Sequence, residues 1–144
     1  MDSKLIMQPI SQRFAPAVAE GTRRLLETLV DATPGVTFAM LTTADGFEIA
    51  AHPGALSKAQ RLAAMSSSLQ ALSEAMVNEA GLAGARNLVI ESDGGTIIVL
   101  GVGKLAPRLA LTVVAHGGET LGRLLWATRE CCVSMEQQLL PVIG

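Results

Sequence analysis

Tyrosine is absent from this chain of 144 residues, and Phe14, Phe38, Phe47 and Trp126 are its only aromatic residues. Base stacking and sugar platforms both need exposed rings, so nucleic-acid and glycan recognition are disfavoured from the outset. Charge is scarce too: Asp, Glu, Lys and Arg make up 17% of the chain, against about 25% in ordinary soluble domains. The formal net charge is -2, and the basic residues are scattered, which supplies no field for a phosphate backbone. Cys131 and Cys132 are the only cysteines, and they are adjacent in a helical pattern. Neighbouring helix positions diverge by about 100°, so neither a metal pair nor an ordinary disulfide is expected. Reduced thiols packed as small hydrophobes fit a reducing, cytoplasmic setting. No membrane-length apolar run occurs, because the most apolar window, residues 96–115, holds Lys104, Pro107 and Arg108 near its centre. Met1-Asp2-Ser3-Lys4 is followed by only three apolar residues before Gln8-Pro9, so no signal peptide is expected.

What the chain does have is apolar content, 49% of its residues. Its length supports one domain that buries roughly two-thirds of its unfolded surface. So few charges on a short chain leave apolar surface to hide elsewhere than in its own core, and self-association is the simplest outlet.

Residues 1–14 lack periodicity and are expected to form a mobile tail ahead of a single domain, 15–140. From 16 to 32, Val18, Thr22, Leu25, Leu26, Leu29 and Val30 recur at helical spacing, with Pro16 suited to the first turn. Thr33-Pro34-Gly35 stops that helix. Strands are expected at 36–43 and 47–52, joined by Ala44-Asp45-Gly46, because Asp-Gly between apolar runs is a hairpin signal. A helix over 58–80, with Ser57 as N-cap, follows. Three further strands (87–91, 96–102 and 109–115) and a last helix over 119–139 complete the chain.

The 58–80 helix is the informative one. Leu62, Met65, Leu69, Leu72 and Met76 step by three, four, three and four residues, a narrow seam suited to a helix–helix contact. Beside it run Ala59, Ala63, Ser66, Ser67, Ala71 and Ala75, small enough for another backbone to approach. Two faces are therefore committed: one to the chain's own sheet, the other to a second copy. A single wide face packed on the sheet is the plainer alternative.

Catalytic chemistry finds no foothold in the pattern. Gly101-Val102-Gly103-Lys104 lacks the earlier glycine of a phosphate loop, where Ile98 stands, and the following Ser or Thr, where Leu105 stands. His52 and His116 sit at strand ends without Cys, Asp or Glu at ligand spacing. Asp45 and Asp93 suit local turn roles. Ser66, Ser67 and Ser68 lack a neighbouring base and read as helix-surface and contact residues. No metal or cofactor is expected.

A helix, then Pro34-Gly35-Val36 opening a strand, Asp45-Gly46 turning into Phe47-Glu48-Ile49-Ala50, a helix rich in Ala, Met, Ser and Leu, Asn87-Leu88-Val89-Ile90-Glu91, and the hairpin around Gly95-Thr96-Ile97-Ile98-Val99 stand in that order. This ordered set resembles the Roadblock / dynein light chain family. The resemblance implies a profilin-like α/β (α+β) sandwich in the order α-β-β-α-β-β-β-α. Its five-stranded antiparallel sheet would carry the long helix on one face and the terminal helices on the other. It also implies a homodimer that pairs the strand at 86–92 and the long helix with those of a twin. Members of the family commonly dock small Ras-like GTPases, and bacterial relatives regulate such GTPases without supplying a catalytic side chain.

The expected function is therefore a non-enzymatic, cytoplasmic homodimeric scaffold that binds a small Ras-like GTPase and modulates its nucleotide cycle or localisation. A small-molecule-sensing or purely architectural module of similar topology is the alternative. Leu62, Met65, Leu69, Leu72, Met76, Leu88 and Ile90 are the expected dimer contacts. Lys58, Gln60, Arg61 and Gln70 are the expected polar contacts to the partner, chosen because they should face solvent.

Overall fold

The computed structural model describes residues 16–54, 56–106 and 108–143, so the tail expected over 1–14 lies outside the described residues. Helix α1 (Pro16–Ala32) leads into strands β1 (Val36–Thr43) and β2 (Glu48–His52). Helix α2 (Leu56–Glu79) follows, then β3 (Asn87–Ser92), β4 (Gly95–Gly101), a single 3-10 turn (Gly103–Leu105), β5 (Leu109–His116) and helix α3 (Leu121–Ile143). The five strands form one antiparallel sheet in the order β2-β1-β5-β4-β3. The order of elements and the two-sided layering agree with the sequence expectation. α2 starts one residue ahead of the expected cap, Ser57, and α3 runs four residues past Leu139, carrying Pro141 in its final turn.

Because β2 and β3 are the two edges of the sheet, the connection between them must cross its whole width, and α2 is that connection. At about 1.5 Å per residue a helix of 24 residues reaches some 36 Å. Five strands about 4.8 Å apart span only about 19 Å. α2 is therefore long enough to cross the whole sheet.

Strand alternation divides the interior in two. Ala39 and Leu41 of β1 and Leu109, Leu111, Val113 and Ala115 of β5 point to the side of the terminal helices. There they meet Leu26 and Leu29 of α1 and Leu124, Met135 and Leu139 of α3 in the larger core. Phe38 and Met40 point the other way, where with Ala51 they meet Ala59 and Ala63 of α2 in the smaller one. Small side chains on α2 bring its backbone close to the sheet. Gly46, at φ +90, sits under α2 with Ala64 Cα 3.3 Å from where a Cβ would stand, so the Asp45-Gly46 hairpin needs glycine twice over.

Candidate functional site

The α2 face on the sheet consists of Ala59, Ala63 and Ser66, all buried, continued by the half-buried Gln70, Ser73 and Val77. These positions lie three or four apart, on one side of the helix. Of the small-residue flank, Ala59, Ala63 and Ser66 meet the sheet while Ala71 and Ala75 are exposed, and of the Leu and Met seam Leu62 packs beside them. Thr112 Oγ1 on β5 donates to Ser66 Oγ at 3.0 Å. Ser67 Oγ donates to the Ala44 carbonyl of the β1–β2 turn. Ser66 is thus a buried layer-to-layer contact, which corrects its reading as a surface residue.

The seam points away to one side. Met65, Leu72 and Met76 are 57%, 60% and 72% exposed. Leu69 is half-buried, and Leu62 packs on the smaller core. The seam overlooks a second row of apolar side chains across the sheet. Val114 pairs with Ile97, and Ile97 with Ile90. Directly paired residues share a face, and Val114 packs on the α2 side. Val114 and Ile97 are half-buried and Ile90 is 37% exposed. The next row, Thr112, Val99 and Leu88, lies beneath α2 itself.

This strip ends at β3, an edge strand with no neighbour on its outer side among the described residues. A bare edge offers unpaired N–H and C=O groups at every second residue. Edge and seam together form one surface, apolar on its face and hydrogen-bonding along its border. Of the seven expected dimer contacts, the structure puts Met65, Leu72, Met76 and Ile90 in the open; Leu62 and Leu69 are half-buried beside them, and Leu88 is half-buried beneath α2.

Lys58, Gln60 and Arg61 are exposed near the start of α2, and the Lys58 ammonium stands 5.8 Å from the centre of the Phe38 ring. Gln70 departs from its expectation. It is half-buried and lines a cavity of about 470 Å³ on the opposite flank of α2 from the seam, because it lies one helical turn from Ser66 on the sheet-facing side. Ser67, Ala71 and Glu74 line the same cavity from the helix; Ala44, Arg86, Leu88, Val99 and Ala106 line it from the sheet end. Nothing in the sequence pattern singled out Glu74 or Arg86, since a lone charge on an exposed turn carries no spacing signal.

Cys131 and Cys132 are both buried, and burial pushes their thiols up to about 11 and about 12. That favours the neutral, unreactive form, as expected of structural thiols. His116 Nδ1 is 2.8 Å from the Thr37 hydroxyl at exposed strand ends. Among the described residues no group of three or more His, Cys, Asp or Glu could hold a metal ion, and no helix is long and apolar enough to cross a membrane.

A sheet in the order β2-β1-β5-β4-β3, one crossing helix on one face and the terminal helices on the other, is the architecture of Roadblock proteins. The structure is similar to a Roadblock/LC7 domain from Streptomyces avermitilis at a TM-score of 0.75 and 24% identity, covering 82% of this chain and 97% of that one. It is similar to the gliding protein MglB from Thermus thermophilus at a TM-score of 0.76 and 18% identity, covering 90% and 96%. An MglB solved with a tetrameric arrangement gives a TM-score of 0.77 at 19% identity, covering 89% and 94%. No curated protein matches the sequence. Residues 23–115 match the Roadblock/LC7 domain, and the chain belongs to that family.

Proposed function

We propose that this protein is a non-catalytic scaffold that pairs with a second copy of itself and binds a small Ras-like GTPase, modulating its nucleotide cycle or location in the cytoplasm. The observation that carries the reading is the exposed seam Met65, Leu72 and Met76 beside the bare edge of β3. Apolar side chains in a continuous strip are costly in water, and an open strand edge invites another strand. A twin placed edge to edge satisfies both at once. Family membership supports the GTPase half of the proposal, and the tetrameric arrangement of a similar MglB supports self-association. Lys58, Gln60 and Arg61 are the polar residues offered to the GTPase. Gln70 is not among them, because it faces the cavity.

The test is a binding assay with purified small GTPases loaded with GDP or with a non-hydrolysable GTP analogue. Binding that prefers one nucleotide state, and that weakens when Lys58 and Arg61 are both changed to Glu, is the expected result. Absence of binding in both states across the small GTPases of the source organism contradicts it.

A further inference from the structure

The cavity on the far flank of α2 is not used in the GTPase half of that proposal, and it adjoins the pairing strand through Arg86, Asn87 and Leu88. Counting about 100° per residue around the helix, Ser67, Ala71 and Glu74 fall to one side of the buried line of Ala59, Ser66 and Val77. The seam residues fall to the other side. The cavity therefore lies on the flank of α2 away from the seam, at the end of the sheet beside the β1–β2 turn and the start of β3.

At about 470 Å³ it falls in the range of small-ligand sites, roughly 300–1,000 Å³. Its floor is apolar, built by Val99 and Leu88, with Ala71 above. Its charged members are Glu74 on the helix and Arg86 on the approach to β3, and both are exposed to solvent. Neither side chain has a hydrogen bond or ion pair among the described residues. They flank the same cavity without closing on each other, so a carboxylate and a guanidinium are both left to meet a guest. A guest that is only cationic would meet Arg86, and one that is only anionic would meet Glu74. A zwitterion satisfies both, its ammonium toward Glu74 and its carboxylate toward Arg86.

We infer that this cavity is a binding site for a small zwitterion with an apolar body, an amino acid or dipeptide. Arg86 and Glu74 orient its charged ends, and Val99 and Leu88 receive its side chain. Calorimetric titration of the full-length protein with L-leucine and with leucyl-leucine, alongside N-acetyl-leucine and leucine amide, tests it. Saturable binding of at least one zwitterion is expected, weakened at least about tenfold in the capped analogues and in Arg86→Gln and Glu74→Gln, since each change removes one charge-assisted contact. Both variants alter exposed side chains, and Glu74→Gln, on the flank of α2 away from the seam, should keep the parent's light-scattering mass, which separates lost binding from any change of assembly in the Arg86 variant beside the pairing strand. Two results overturn the inference: no saturation up to about 10 mM across the twenty amino acids and leucyl-leucine, or equal binding of the capped analogues. Self-association and GTPase binding are measured separately, so failure here leaves the proposed function standing, and the reverse also holds.

Discussion

Thr112 at the centre of the sheet and Ser66 on α2 share a buried hydrogen bond of 3.0 Å, with 1% and 4% of their surfaces exposed. With the Ser67 bond to the Ala44 carbonyl it is one of two polar points in an otherwise apolar layer contact, and it fixes α2 along its own axis as greasy alanines cannot. Ser66→Ala leaves the Thr112 hydroxyl without that partner, which should cost about 1–3 kcal/mol. The double variant Ser66→Ala with Thr112→Val removes both partners and should recover part of the loss. Urea unfolding at one fixed protein concentration measures both. Equal stability of the single variant and the parent would show that the bond does not hold the layers.

The turn after β4 depends on Gly103. Its φ of +46 lies in the left-handed region, and a Cβ there would run into the carboxylate of Glu136. That carboxylate accepts the Lys104 N–H at 3.4 Å, linking the turn to α3. Gly103→Ala should lower stability by about 1–3 kcal/mol from strain and clash together. Adding Glu136→Ala should restore only the clash component. Thermal melts of the two variants separate the terms.

Cys131 and Cys132 should ignore a thiol reagent at pH 8 until the protein is unfolded, because burial holds both in the neutral form. The same shift sets a stability profile. Their folded values, about 11 and about 12, stand above the ordinary 9.0. The native state therefore keeps protons that the unfolded chain gives up, and the stabilisation is complete below pH 9. It is lost as pH rises from there through the folded values. Denaturation midpoints that fall steadily above pH 9, and fall less in a Cys131→Ala, Cys132→Ala double variant, are the expected result.

Much of this architecture was legible in the residues, for particular reasons. Asp45-Gly46 between apolar runs, Thr33-Pro34-Gly35 and the 3.6-residue rhythm of Leu25, Leu26 and Leu29 placed elements within a few positions of their observed ends. The sheet-facing side of α2 was also readable in part, because Ala59, Ala63 and Ser66 at helical spacing suit close approach, though Ala71 and Ala75 of the same flank are exposed. The end of α3 was not: the expected helix stops at Leu139, yet Pro141 in the last turn loses only one helical bond and the helix carries on to Ile143. Gln70 and the Glu74–Arg86 pair were out of reach for a different reason. Their placement depends on the angle at which α2 crosses the sheet, which no local pattern encodes.

Self-association through the seam and the β3 edge is the claim on which the scaffold reading stands, and Leu72→Glu addresses it most directly. Leu72 is 60% exposed in the single chain, so a carboxylate there is solvated in a monomer and must be stripped of water in a dimer. Light scattering on the parent should give about twice 15.0 kDa. The variant, with its helical circular dichroism unchanged, should give the mass of one chain. A parent that runs as a single chain at tens of micromolar, or a variant that keeps the doubled mass, would contradict the account.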